Sequence, residues 1–288
     1  MNRRTFVQTL GVAGASLLPT TLGRAKGEDA RPEFVGLLVD TTRCIGCRSC
    51  EIACAEVHGF PEPDLDESVL DKERTPTVSQ WSIVNKYDTD RGEVYVKRQC
   101  MHCNQPACAS ACLTKAMLKT EDGPVIWREN KCMGCRFCMI SCPFDIPKFE
   151  YNSPVPKIQK CTMCWERQQQ GKIPACAEAC PVEAITFGKR RELIAEAYRR
   201  ISFNPEQYYN HVYGEYEAGG TGYMYLAGVP LEQLGFPRGI EPQAYPEMSK
   251  DYLYAVPIVL TLWPAFLLAV SNATKRDAEH SEGGDLHE

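Results

Sequence analysis

No run of basic residues in this 288-residue chain is long enough to follow a nucleic-acid backbone: 32 Lys and Arg are interspersed among 37 Asp and Glu, for a formal net charge of −5. That excludes nucleic acid as an evident partner. Also missing are a nucleophile with its base, a glycine loop for phosphates and an open metal motif, so no site for bond-making chemistry is legible. Histidine is scarce, at five residues. Cysteine is the opposite case, with sixteen. The length suits one or two compact domains, and a hydrophobic share of 44% is ordinary for a chain with a buried core. What the chain does must therefore be read from its cysteines and its two ends.

Met1-Asn2-Arg3-Arg4-Thr5-Phe6-Val7 precedes an uncharged stretch from Gln8 to Gly23, and Gly23-Arg24-Ala25 offers a small-x-small cleavage site. Paired arginines ahead of a short apolar segment predict a twin-arginine export signal over residues 1–25 and a periplasmic destination. The competing reading is a buried helix that begins with Arg-Arg. At the other end, Tyr252 to Asn272 carries no charge, and about 20 apolar residues cross a bilayer core. Pro257 and Pro264 are tolerated in membrane helices. Lys275 and Arg276 just beyond favour a cytoplasmic C-terminus. The expectation is a transmembrane helix over 252–272, anchoring the chain at the periplasmic face of the inner membrane, and a polar tail over 273–288.

Every cysteine falls within residues 36–190. Residues 191–201 place Leu193, Ile194, Ala197 and Ile201 on one helical face. Residues 203–250, rich in Tyr, Gly and Pro, read as an extended strap. The cysteine region is a repeat written four times. The groups are Cys44-x2-Cys47-x2-Cys50-x3-Cys54, Cys100-x2-Cys103-x4-Cys108-x3-Cys112, Cys132-x2-Cys135-x2-Cys138-x3-Cys142-Pro143, and Cys161-x2-Cys164-x11-Cys176-x3-Cys180-Pro181. None is left over.

A cubane [4Fe–4S] cluster takes four thiolates, and C-x2-C-x2-C-x3-C-P is the bacterial ferredoxin run, whose fourth cysteine serves the neighbouring cluster. Four such groups predict two pairs of clusters. Gly46 and Gly134, inside the first gaps of groups one and three, let the backbone turn tightly. Zinc would use two C-x2-C pairs with a longer loop between them, a frame that only group four approaches. Disulfides suit an exported chain with an even cysteine count, but not repeated CxxCxxC runs. The twin-arginine route exports folded, cofactor-loaded proteins, which reconciles metal-bound thiolates with an oxidising destination. His102, inside group two, is expected to hydrogen-bond near a sulfur rather than ligate, and His58 to be a surface histidine. Arg43, Arg48, Arg98, Lys131, Arg136 and Lys160 flank the groups, either raising cluster potentials or simply solvated.

The four groups, with Gln99-Cys-Met-His-Cys103, Gly134-Cys-Arg-Phe-Cys138 and Cys142-Pro-Phe-Asp-Ile-Pro-Lys148, resemble the iron–sulfur subunits of membrane respiratory oxidoreductases. Formate dehydrogenase and DMSO reductase beta subunits are among them. The exported subunit of hydrogenase-2-type nickel–iron hydrogenases is most similar, with its own twin-arginine signal, a segment like Gly214 to Val229-Pro230, and a C-terminal membrane helix. The resemblance implies an α+β fold of two interleaved ferredoxin-like units, group one with four and group two with three. It implies four [4Fe–4S] clusters: Cys44, Cys47, Cys50 and Cys180; Cys54, Cys161, Cys164 and Cys176; Cys100, Cys103, Cys108 and Cys142; Cys112, Cys132, Cys135 and Cys138. The implied role is a non-catalytic relay between a periplasmic hydrogenase and a quinone-reactive membrane subunit. Alternatives are a molybdopterin-enzyme partner such as formate dehydrogenase or a DMSO or polysulfide reductase, a quinone or substrate site in this chain itself, and a zinc-stapled scaffold.

Overall fold

The structure is a computed structural model that describes residues 33–282; the expected export signal lies outside the described residues. In chain order the elements are β1 (Val35–Asp40), α1 (Ser49–His58), β2 (Ile83–Thr89), β3 (Gly92–Arg98), α2 (Ala107–Ser110), β4 (Met117–Lys119), β5 (Val125–Trp127), α3 (Phe137–Ile140), β6 (Lys148–Phe149) and β7 (Ile158–Gln159). There follow α4 (Trp165–Gln168), α5 (Ala175–Glu178), β8 (Ile185–Lys189), α6 (Arg190–Phe203), β9 (Tyr223–Leu226) and α7 (Tyr245–Glu282).

A three-stranded sheet in the order β8-β1-β9 organises the molecule. β1 pairs antiparallel with β8 and parallel with β9. The strand period of two divides its side chains between two layers. Leu37 and Val39 of β1, with Tyr223 and Tyr225 of β9, pack into the large core shared with cysteines of groups one, two and four. Leu38, Met224 and Leu226 face the other way, onto Leu193, Ala197 and Ile201 of α6. The apolar face read from residues 191–201 is therefore the one that is buried, with Ile194 at its edge. Three two-stranded hairpins, β2–β3, β4–β5 and β6–β7, complete the described sheets.

The stretch expected to be an extended strap contributes β9, and all four of its residues are buried. Tyr-Met-Tyr-Leu has the aromatic and aliphatic alternation of a strand between two apolar layers, but lies far in sequence from the strand it pairs with. Gly36 permits that pairing. A Cβ there would come within 2.6 Å of the Gly222 carbonyl oxygen.

The C-terminal helix also differs from its expected bounds. It begins at Tyr245 and continues through part of the expected polar tail to Glu282, with Pro257 and Pro264 inside it. Charges at Glu247, Lys250 and Asp251 limit the apolar span without breaking the helical hydrogen bonds, and Pro246 sits in the first turn, where its missing N–H is not needed. Tyr245–Lys275 is long and apolar enough to cross a bilayer, with a mean hydropathy of 2.1 in its most apolar window, none of which is buried.

Candidate metal centres

Each cysteine run is a sharply turned loop that leads into a short helix. The turns are made by left-handed residues at matching places: Gly46 and Arg48 in group one, His102 in group two, Gly134 and Arg136 in group three, and Met163 and Cys164 in group four. Non-glycine residues adopt this region at a cost of about 1–2 kcal/mol each, and such strain gathers at functional sites. Gly46 is required twice over, since a Cβ would also fall 2.6 Å from the Tyr95 ring. At Gly134 a Cβ would meet nothing. A second repeat follows the fourth cysteine. Lys115, Asp145 and Glu183 are again left-handed, and their N–H groups donate to the carbonyls of Cys112, Cys142 and Cys180 at 3.0, 3.2 and 3.2 Å. Group one departs from this because α1 continues to His58.

All sixteen thiols are free of disulfides. Helix α1, carrying Cys50 and Cys54, packs on α5, which carries Cys176; α2, with Cys108, packs on α3, with Cys138. Cys44, Cys47, Cys50 and Cys180 line one cavity with Lys97. Burial pushes the Cys44 thiol up against a Gly46 backbone hydrogen bond, and the adjacent Cys180 and Cys47 add to the rise. Burial and then Cys161, with Cys176 and Cys164, push Cys54 up. Burial raises Cys103 strongly, followed by Cys100, Cys142 and Cys108. Cys138 is pushed up to about 11 by burial, then by Cys112, Cys132 and Cys135. In each constellation, the last cysteine of one group thus meets three from another.

Neighbouring constellations also meet. Cys176 lies among the groups that raise Cys50, Cys100 among those that raise Cys161, and Cys138 among those that raise Cys108. Among the described residues no three Cys, His, Asp or Glu side chains converge closely enough for a single ion. Buried thiols that raise one another's pKa resist ionisation until a cationic centre neutralises them, and metal binding releases their protons. This donor set fits an iron–sulfur core.

The surroundings contain two cations that the sequence reading did not single out, Lys97 and Lys119, beside Lys160, which it did. Lys97 is buried and donates to Gln99 Oε1 at 2.8 Å. Its burial opposes charge, yet Cys176, Cys50 and Cys161 outweigh it and raise the ammonium pKa. Lys160 is also buried and donates to the carbonyls of Val125 and Cys161. Lys119 donates to the His102 carbonyl at 3.2 Å; burial lowers it to about 8 against the pull of Cys103 and Cys100. Of the flanking cations read from the sequence, Arg48 and Lys160 are buried and Arg98 half-buried, whereas Arg43, Lys131 and Arg136 are exposed.

His102 is fully buried, but its Nδ1 accepts the Val125 N–H at 2.8 Å, tying group two to hairpin β4–β5 rather than to a sulfur. Burial, then Lys160, Lys119 and Lys97, keep that ring neutral. His58 corrects its expectation in the opposite direction. It is half-buried, with Nε2 3.9 Å from Cys164 Sγ. Tyr223, 47 residues from Cys176, places its hydroxyl 3.6 Å from that sulfur. Burial, then Cys176 and Cys161, hold the phenol protonated.

Comparison with known proteins agrees with this donor chemistry. Residues 93–190 match the 4Fe-4S dicluster domain family. A protein of Nitratidesulfovibrio vulgaris is 45% identical over 96% of this chain and 78% of its own length. The hydrogenase-2 operon protein HybA of Escherichia coli O157:H7 is 34% identical over the whole of both chains. The iron–sulfur subunit of nitrate-inducible formate dehydrogenase from Escherichia coli K12 is 32% identical over 67% of each. The chain is a [4Fe–4S] protein and belongs to the family of iron–sulfur subunits that includes HybA and the formate dehydrogenase iron–sulfur subunits.

Proposed function

We propose that this chain is a membrane-anchored electron relay with four [4Fe–4S] clusters, held by four sets of four thiols. Cys44, Cys47, Cys50 and Cys180 would hold the first; Cys54, Cys161, Cys164 and Cys176 the second; Cys100, Cys103, Cys108 and Cys142 the third; and Cys112, Cys132, Cys135 and Cys138 the fourth. Groups one with four and two with three would then form two interleaved ferredoxin-like units. The clusters supply one-electron redox chemistry; the protein supplies thiolates, buried cations and exclusion of water. One observation carries the reading. Cys176 acts electrostatically on Cys50, Cys100 on Cys161 and Cys138 on Cys108, which links the sets from first to fourth, and the two exposed thiols, Cys47 and Cys135, belong to the first and the last.

Position suggests which end faces which partner. The start of α7 packs on α2 beside Cys108, and Gln105 Nε2 donates to Glu247 Oε1 at 2.7 Å. The apolar helix thus leaves from the half formed by groups two and three. Leu113, beside Cys112, and Met133, Phe137 and Ile140, within the Cys132–Cys142 run, are exposed apolar side chains, suited to a quinone-reactive membrane subunit. The Cys47 end, with exposed Ile45, would receive a periplasmic catalytic subunit. We favour a nickel–iron hydrogenase there, because the similarity to HybA runs through the whole chain, including the segment that forms β9 and α7. The second reading is a molybdopterin enzyme, supported by the formate dehydrogenase relatives. All sixteen thiols, including Cys164 beside His58, fall in the four sets, so we assign the chain no bond-making role of its own.

Anaerobically purified chain should contain sixteen irons and little zinc. Cys180→Ser should convert or remove one cluster and leave the signals of the other three. Stoichiometric zinc after folding under iron-replete anaerobic conditions, or loss of two clusters in Cys180→Ser, would refute the assignment.

A further inference from the structure

Cys50, Cys54 and His58 recur every four residues along α1, so they share one face of that helix. The first two belong to the proposed first and second clusters. The third places its ring nitrogen 3.9 Å from Cys164 Sγ, a sulfur 106 residues away. Its imidazole is held against Trp81, with ring centroids 4.5 Å apart, and against Phe60 at 5.9 Å. Strand β9 delivers Tyr223, wholly buried, with its hydroxyl 3.6 Å from Cys176 Sγ. The Lys97 ammonium lies 5.2 Å from the centre of the Tyr223 ring. Two polar side chains from different elements therefore reach sulfurs of the same thiol set, and a buried cation stands beside them. The other side-chain hydroxyls at cysteine sulfurs, Ser49 at Cys47 and Thr114 at Cys112, are local, two residues from their partners.

We infer that His58 and Tyr223 are potential-setting residues that raise the reduction potential of the cluster held by Cys54, Cys161, Cys164 and Cys176. The inference rests on the ligand sets proposed above. A thiolate bound to iron carries no proton, so the phenol and the imidazole N–H must be the donors at both contacts. Adding an electron increases the negative charge that the sulfurs share, and a donor at sulfur stabilises the reduced state more than the oxidised one. The electron comes from a neighbouring cluster, and neither side chain gains or loses a proton. An electron entering from either end would thus settle at an interior position, shielded from water, until it is drawn onward. Such a resting place suits a relay between reactions that exchange electrons in pairs through carriers that move one at a time.

The experiment is an anaerobic redox titration followed by electron paramagnetic resonance, on the full-length chain in its native membrane complex. Tyr223→Phe and His58→Phe remove the donors and keep the packing, and His58→Gln restores an N–H. Thr114→Val removes the local hydroxyl at Cys112. We expect Tyr223→Phe and His58→Phe each to lower the midpoint of the same single signal by about tenfold in its one-electron equilibrium, about 59 mV. His58→Gln should recover most of that change, and Thr114→Val should leave that signal alone. The inference is overturned if all signals are present but unshifted, if they shift together, if the two variants move different signals, or if Tyr223→Phe simply loses the cluster. Fewer than sixteen irons in the unsubstituted chain would instead refute the ligand sets themselves.

Discussion

At the scale of single residues, Glu51 shows how a cysteine run is held in place. It follows Cys50 directly, and its side chain is fully buried. Its carboxylate accepts from Arg48 at 3.1 Å, Arg74 at 2.7 Å, Gln80 at 2.9 Å and the Val84 N–H at 2.6 Å. These bonds fasten α1 to strand β2 and to the loop between them. Removing the acid strands two guanidinium groups, and breaking a buried ionic network from one side costs about 3–5 kcal/mol. Glu51→Ala should therefore lower the guanidinium midpoint at which cluster colour bleaches, with the first and second clusters lost earliest; an unchanged midpoint would count against this role. The acid was not legible beforehand, since one Glu in a helix that also carries two cysteines looks like any surface charge. His58 and Tyr223 escaped for a related reason. A histidine four residues past Cys54 reads as a surface residue, and nothing in the sequence relates Tyr223 to a sulfur 47 residues away.

At the scale of elements, α6 and α7 follow different rules. Helix α6 is amphipathic, and its buried stripe closes the sheet on the side away from the thiols. Ala197 is 0% exposed between the helix and Leu38, Met224 and Leu226. Ala197→Leu overfills that layer and should cost about 1–3 kcal/mol. The bleaching midpoint should fall while the resonance signals keep their positions, because the thiols lie on the other face; shifted signals would show that the two layers are coupled. Helix α7 buries none of its apolar window. In lipid a helix satisfies its own backbone groups and needs no protein cover. A chain ending at Lys250 should leave the membrane fraction and still contain its full iron, since no cysteine lies beyond Cys180. Retention of that shortened chain in membranes lacking its partners would show that the anchor is elsewhere. The apolar stripe of α6 and the span within α7 were legible because each is a local pattern. β9 was not, since a four-residue strand becomes one only through its partner.

For the whole molecule, the prediction concerns conduction. Membranes without this chain should lose electron transfer from the catalytic partner's substrate to quinone. The catalytic subunit, confirmed as exported and folded, should still reduce an artificial dye at its own exposed clusters. Loss of both activities with an intact catalytic subunit would assign chemistry to this chain and overturn the relay. Hydrogen against formate as the substrate that supports quinone reduction separates the two candidate partners.

The sequence by itself determined the cofactor: sixteen cysteines fall into four groups of four, two of them with the C-x2-C-x2-C-x3-C run of ferredoxins. It also determined the buried face of α6 and an apolar span long enough for a bilayer, because helical period and hydropathy are properties of contiguous residues. The separation between groups three and four resembles that between two and three, so order along the chain does not pair the groups; only the tertiary structure supplies the packing of α1 on α5 and of α2 on α3 on which the proposed pairing rests. The tertiary structure likewise decided which polar side chains reach sulfur and which cations are buried beside it. Those contacts join residues up to 106 positions apart, and proximity across such a distance is a product of folding rather than of order along the chain.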